Sequence, residues 1–359
     1  MKYVDEFRAG ELVSRIASRV RSSADRNRSY TFMEVCGTHT MAVSRFGLNR
    51  LLPDNIRLIS GPGCPVCVTP NSYIDKAIAI SKLPGVIVAT FGDMIRVPGS
   101  YSSLERERAL GSRIRVVYST DDALDIARKE AGAEVVFLGI GFETTAPTVA
   151  ASILAAEAGG VKNYSVLCGH KTMPEVLKSL AADRSACIDG FLLPGHVSAV
   201  IGAKPYRFLP EVYRKRCVIS GFEPSDIMES ILMLISQKRP TVEIEYSRAA
   251  VRSGNKTARR VMERVFAETD SEWRGMGNIR SSGLKIRKKF RAFDAARRFR
   301  LKDAASRTDK RCICGDILRG LKTPRECALF RKACDPTHPV GACMVSSEGT
   351  CAAYYRYRR

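Results

Sequence analysis

Short apolar runs that end in glycine or proline recur along this 359-residue chain, and no other feature restricts its fold as much. Ile56–Ser60 runs into Gly61-Pro62-Gly63-Cys64-Pro65-Val66-Cys67, and Val86–Thr90 into Phe91-Gly92-Asp93. Val135–Gly139 leads to Gly141-Phe142-Glu143-Thr144-Thr145-Ala146-Pro147, Tyr164–Cys168 to Gly169-His170-Lys171, and Gly190–Leu193 to Pro194-Gly195-His196. Arg115–Tyr118 and Val218–Ser220 complete the set. Runs this short and this apolar read as strands buried on both faces. Asn71–Ser81, Ala123–Glu130 and residues 148–157 lie between them and read as helices. Alternating strands and helices predict parallel sheets covered by helices.

The pattern falls into two regions, about 31–120 and 121–223, each with a strand-then-Pro-Gly turn and a strand-then-Gly-acid turn, which suggests an internal duplication. Before them, Phe7, Leu12, Ile16 and Val20 follow helical spacing over residues 6–22. After Pro224, residues 225–237 and 257–268 read as helices, Arg274–Arg300 is glycine-rich and then basic, and cysteines dominate from Cys312 to Cys351. The expected architecture is α/β: two similar parallel-sheet domains (31–120 and 121–223) facing a cleft, plus a C-terminal domain (224–359). The N-terminal helix (1–30) is expected to pack on the last. The length suits several cores rather than one.

The net charge of +21 raises a nucleic-acid reading. Its excess is concentrated in the last third, as in Lys285–Arg300, with no zinc-finger, RRM or helix-turn-helix pattern. A solvated basic face that docks an acidic partner is the preferred reading, with no nucleic acid. No apolar run reaches the roughly 18 residues of a membrane span, and acidic residues interrupt the N-terminus where a signal peptide would be apolar. A cytosolic protein away from membranes is expected. In that compartment thiols stay reduced, so twelve cysteines point to metal or redox chemistry.

Six of them (Cys312, Cys314, Cys327, Cys334, Cys343 and Cys351) fall within 40 residues too poor in apolar side chains for a core of their own. A metal centre would supply the missing stability. Zinc usually takes two close C-x2-4-C pairs, whereas dispersed single cysteines suit a [4Fe–4S] cluster. The spacing favours the cluster. Cys64-Pro65-Val66-Cys67 sits between a strand and a helix, so a redox dithiol is preferred there to half a zinc site.

Cys36-Gly37-Thr38-His39-Thr40, preceded by Glu34, places a thiol three residues from an imidazole. Cys36 reads equally as a nucleophile or soft iron ligand, with His39 as base, and as a buried apolar residue. His170, His196, Glu143 and Asp93 stand at strand ends, where open parallel sheets bind ligands. Cys168, Cys187 and Cys217 read as core residues.

These segments, with Phe32–Thr40, Pro98-Gly99-Ser100, Pro194–Ser198 and the closing Met344–Gly349 and Cys351–Tyr355, resemble the HypD family of hydrogenase expression/formation proteins over essentially the whole chain. The resemblance implies three α/β domains, the last carrying a [4Fe–4S] cluster near a thiol relay. Its ligand spacing, C-x14-C-x6-C-x16-C, selects Cys312, Cys327, Cys334 and Cys351 and leaves Cys314 and Cys343 over. It implies a scaffold for the Fe(CN)2(CO) group of [NiFe]-hydrogenases, with Cys36 on the transient iron. The HypC chaperone is the implied partner, and HypE, with HypF, the cyanide donor. Cys64 and Cys67 would cycle redox state, and His39, Glu143 and His196 would serve the transfer cleft. A stand-alone iron–sulfur thiol/disulfide reductase is the alternative, and the isolated chain is expected to be a monomer.

Overall fold

The structure, a computed structural model, describes residues 5–301 and 306–358. Residues 1–4 of the expected N-terminal helical segment, and 302–305 and 359 of the expected C-terminal domain, lie outside the described residues. In chain order the strands are β1 (Tyr30–Glu34), β2 (Ile56–Ser60), β3 (Val86–Thr90), β4 (Arg113–Val116), β5 (Glu134–Gly139), β6 (Tyr164–Cys168), β7 (Gly190–Pro194), β8 (Arg216–Ser220), β9 (Val242–Ile244), β10 (Phe266–Trp273) and β11 (Gly277–Ile286). They form a parallel sheet in the order β2-β1-β7-β8-β9, a parallel sheet in the order β4-β3-β5-β6, and the antiparallel hairpin β10-β11.

The strands form where both faces can be buried. All five residues of β3 and of β7 are buried. Because side chains alternate across a strand, each sheet contributes one face to a shared core. Met33, Ile59, Phe191 and Leu193 from the first sheet join Val86, Val88, Val136 and Leu138 from the second. The outer face of the first sheet (Phe32, Leu192, Val218) is covered by the helices Gly10–Ser23 and Pro224–Ser236, which pack on each other. The outer face of the second (Ile87, Ala89, Val135, Phe137) is covered by the helices Thr120–Lys129 and Ala146–Ala158 and by the hairpin. Local signals start these helices. Ser119 and Asp122 form a reciprocal capping box, and Pro224 opens its helix behind the cap of Glu223.

The sheets do not follow the boundaries expected at residues 120 and 223. The four-stranded sheet is inserted, whole, between β2 and β7 of the five-stranded one. Each sheet repeats the same order: its second strand, its first, its third, then its fourth. Yet the two Pro-Gly turns, after β2 and near the end of β7, belong to one sheet, and the two Gly-acid turns, after β3 and β5, to the other. The turn matches that suggested a duplication therefore pair strands within a sheet. Likewise the helix Pro224–Ser236 belongs with the five-stranded sheet, and through it so does the N-terminal helix.

Among the strands, β1, β9 and the hairpin have no counterpart in the sequence reading. The helix expected over 257–268 stops at Val265, and Phe266 begins β10. Along β10 only the end residues Phe266 and Trp273 are buried, while the alternating outward positions are acidic. So polar a strand forms because β11 pairs with it, not from its own apolar pattern.

Candidate functional site

In an open parallel sheet, ligands bind at the carboxyl ends of the strands where strand order reverses. In the five-stranded sheet that point lies between β1 and β7. The loops there carry Cys36 and His196. The loop after β5 of the second sheet approaches from the other side, and together they enclose a cavity of about 490 Å3 lined by Cys36, Thr38, Gly63, Thr145, His196 and Glu348, among others.

Cys36 stands just ahead of the helix Gly37–Arg45. The dithiol loop is pressed onto its backbone, with Gly63 so close that no side chain fits between. Gly37 in turn faces Glu348 and the Cβ of Cys64. Burial, seconded by the Glu348 carboxylate, pushes the Cys36 thiol up to about 12, while the N–H dipoles of Thr38 and His39 pull weakly the other way. Alone, Cys36 is therefore a protonated thiol. The Thr38 hydroxyl donates to Glu348 Oε1 at 2.7 Å. Glu348 is a site residue that chemical reading of the sequence missed. Its only signal was a carboxylate in the glycine- and serine-rich closing motif, some 300 residues from Cys36.

The two histidines have different placements. His196 lines the cavity, and burial lowers its pKa. His39 is buried behind it and is not among the lining residues. Its Nε2 donates to the Gly221 carbonyl at 2.9 Å, and burial holds it neutral, with a pKa of about 4. Phe222 is stacked between them, with ring centroids 3.9 Å from His196 and 4.8 Å from His39. Carboxylates fix the Phe222 loop: Glu245 accepts the Gly221 N–H at 2.8 Å, and Asp226 accepts those of Phe222 and Glu223 at 3.0 and 3.1 Å. His39 thus acts on the cleft through Phe222, not as a base facing it.

Other expected cleft residues lie elsewhere. His170 is buried against Phe266 of the hairpin, with its pKa lowered to about 3 by burial. Asp93 is exposed. Glu34 is buried at the end of β1 and interacts with Thr40 and Arg358. Glu143 is buried, with its carboxyl raised to about 7, but it lines a different cavity. Of the three supposed core cysteines, Cys217 is buried, Cys168 is partly exposed, and Cys187 is exposed in a left-handed turn at φ 49°. A tight turn after the helix Met173–Ala182 keeps Cys187 on the surface.

Behind Cys36 the sulfurs form a continuous series. The Cys64 sulfur accepts the Cys67 N–H at 3.4 Å within a one-turn helix, Pro65–Val68. Cys67 is fully buried, which raises its thiol, and it is within hydrogen-bonding reach of both Cys64 and Cys343. Cys343 Sγ lies 2.9 Å from Cys314 Sγ and also neighbours Cys351. The two cysteines left over by the spacing argument are therefore the ones between the dithiol and the C-terminal set. The unforeseen hairpin holds them there. Arg274, at its turn, donates its N–H to Val68 O at 2.9 Å and its Nε–H to Thr69 O at 2.7 Å, while Gly275 packs on Gly315 beside Cys314.

Cys312, Cys327, Cys334 and Cys351 gather with Leu329 and Met344 in one small cluster of side chains. The fields of Cys314, Cys343 and Cys327 reach Cys312, and those of Cys312 and Cys334 reach Cys351. Among the described residues no three His, Cys, Asp or Glu groups converge tightly enough for a single metal ion. Four soft thiols from separate short segments that share one side-chain cluster are a donor set an iron–sulfur cluster could take, since it spaces its ligands more widely than one ion does.

No helix among the described residues is long and apolar enough to cross a membrane. The family profile described as HypD, the hydrogenase formation hypA family, matches residues 11–358. The chain is 49% identical over its whole length to the hydrogenase maturation factor HypD of Cupriavidus necator, covering 98% of it. It is 47% identical to that of Rhizobium leguminosarum bv. viciae, covering 96%, and 44% identical to that of Escherichia coli (strain K12), covering 99%. A profile match and this identity, both spanning the thiol site and the sheets that frame it, place the chain in the HypD family of hydrogenase maturation factors.

Proposed function

We propose that the chain is a cytosolic scaffold on which, together with a HypC-type chaperone, the Fe(CN)2(CO) group of [NiFe]-hydrogenases is assembled. The observation that carries this reading is the contact of Gly63 with the Cys36 backbone, which sets the cavity-lining Cys36 thiol against the loop that carries the Cys64–Cys67 dithiol. The iron is the cargo. Its charge would convert the protonated Cys36 thiol to thiolate on binding, and soft thiolate suits iron carrying strong-field cyanide and carbonyl.

Cyanide is delivered as a thiocyanate on a HypE-type donor. Breaking its S–C bond to leave cyanide on iron and a thiol on the donor consumes two electrons and one proton. Cys64 and Cys67 release two electrons and two protons on closing to a disulfide, so the step balances with one proton left over. His196 and Thr38 line the space where the transfer occurs, and Glu348, hydrogen-bonded to Thr38, is the carboxylate in the same lining that takes that proton.

The dithiol is regenerated by exchange. Cys343 attacks Cys67, Cys64 leaves as thiolate, and Cys314 then resolves the mixed disulfide. The adjacency of Cys67, Cys343 and Cys314 supports this order. A [4Fe–4S] cluster held by Cys312, Cys327, Cys334 and Cys351 would supply single electrons to that pair.

The same sulfur series favours a second reading, a stand-alone disulfide reductase. Anaerobic co-purification with the chaperone, followed by iron and sulfide analysis and infrared spectroscopy, separates them. Cyanide and carbonyl bands that vanish in Cys36→Ala are expected. Bands that persist in that variant refute the role of Cys36, and their absence from the unaltered complex leaves the reductase.

A further inference from the structure

The loop after β5 is a partition between two cavities. Phe142, Thr144 and Thr145 face the cleft of Cys36, whereas Glu143 faces a second cavity of about 490 Å3. Glu143 Oε1 accepts the Met173 N–H at 2.9 Å. Its Oε2 is buried and has no hydrogen-bond partner. Arg259, on the helix Lys256–Val265, lines the same cavity, and its Nε is a buried donor that also has no partner. Much of the remaining wall is apolar, including Pro174, Ile201, Met262, Phe266 and Leu284.

Buried donors and acceptors are normally paired. One water could bridge such groups, but it fills only about 30 Å3. Apolar-walled cavities of roughly 300–1,000 Å3 with a few fixed polar groups are typical small-molecule sites. The charges on the rim narrow the choice of ligand. Glu175, Glu263 and Glu268 oppose an anion, and Arg259 opposes a cation. Arg287 is already engaged, with its Nε donating to the Glu263 and Phe266 carbonyls.

We propose that this second cavity binds a small neutral carboxamide with an apolar body. Its N–H is given to Glu143 Oε2, its carbonyl accepts from Arg259 Nε, and its body lies against Phe266 and Met262. Neither the iron-assembly reading nor its rival is needed for this site.

Saturation-transfer NMR on the full chain, with benzamide, benzoate and benzylamine as probes, tests the proposal. The experiment is run at about pH 8.5, above the value of about 7 to which burial raises the Glu143 carboxyl. Benzamide should bind saturably, and Arg259→Met should weaken it by about tenfold, one hydrogen bond's worth. Glu143→Gln gives a sharper result. Its amide oxygen stays on the Met173 N–H, so its amide N–H2 enters the cavity and the ratio of benzamide to benzoate binding should fall. This change in ratio distinguishes the site from a variant that has merely lost its fold. Equal binding of the three probes, no saturable benzamide signal, or an unchanged ratio in Glu143→Gln would overturn the proposal.

Discussion

A methyl group added to Gly63 would lie 2.3 Å from both the N and the Cα of Cys36. The end of β1 and the dithiol loop after β2 therefore touch through a position that only glycine can occupy. Backbone atoms on the Cys36 side have no rotamer by which to yield.

Gly63→Ala should consequently drive the two loops apart. Overpacking of this kind costs about 1–3 kcal/mol, visible as a lower denaturation midpoint. The larger effect is expected on maturation, since Cys36 would be displaced from the dithiol. An unchanged midpoint together with full hydrogenase activity in cells carrying the variant would refute the contact.

Cys343 adjoins Cys67 on one side and Cys314 on the other. Replacing Cys343 with serine should leave the Cys64–Cys67 pair trapped as a disulfide after turnover, whereas Cys314→Ser should stop at the Cys67–Cys343 mixed disulfide. Alkylation and mass mapping would then find Cys64 and Cys67 blocked in the first variant, and Cys67 and Cys343 joined in the second. Cys187, exposed and remote in a surface turn, is the control. Cys187→Ser should behave as the unaltered chain does. Normal recovery of the Cys64 and Cys67 thiols in the Cys343 variant would exclude the relay.

Glu348 adds to burial in holding the Cys36 thiol up. Glu348→Gln removes that repulsion and keeps an acceptor for the Thr38 hydroxyl. In metal-free protein, Cys36 should then be alkylated on the order of three- to tenfold faster at a fixed alkaline pH, as its thiolate fraction rises. A rate at or below that of the unaltered chain would show that Glu348 does not act on the sulfur.

His39 is buried neutral, with a pKa of about 4 against an ordinary 6.5. The unfolded chain therefore binds a proton there below about pH 6.5, while the native chain does so only near pH 4. That contribution to stability is complete above the unfolded value and falls as the medium is acidified between the two. The slope is about 1.4 kcal/mol per pH unit. The buried Glu34 and Glu143 carboxyls, both raised to about 7, act in the opposite sense, since they bind protons more readily in the native state. The test is thus differential. Denaturant titrations of His39→Gln across pH 6 to 4.5 should show a shallower acid loss than the unaltered chain, by roughly one proton. Parallel curves would mean that His39 is not held neutral.

Several elements were legible because their cause is local. The strands Ile56–Ser60, Val86–Thr90 and Tyr164–Cys168 and the helix Asn71–Ser81 fall where the apolar pattern put them. Each is set by its own residues and the turn that ends it. β1, the hairpin and the insertion of one sheet into the other were not legible. Parallel pairing joins segments far apart in the chain, as when β1 pairs with β7 across more than 150 residues. The two kinds of turn offered similar signals whichever sheet they belonged to.

The candidate site divides in the same way. Residue types and spacing were enough to mark the Cys64–Cys67 pair and the C-terminal cysteines as candidates, because thiols at that density in a chain of this composition have few other uses, whereas Cys36 stood evenly between site and core until the family resemblance was added. Only the tertiary structure decided that Glu348 faces Cys36, that Phe222 separates His39 from the cleft, that Glu143 serves a different cavity, and that Cys314 and Cys343 lie between the dithiol and the remaining thiols. Chemical character belongs to a residue and its neighbours in sequence. Proximity in a layered α/β fold is set by how two sheets share a core, and a pattern along the chain does not encode that.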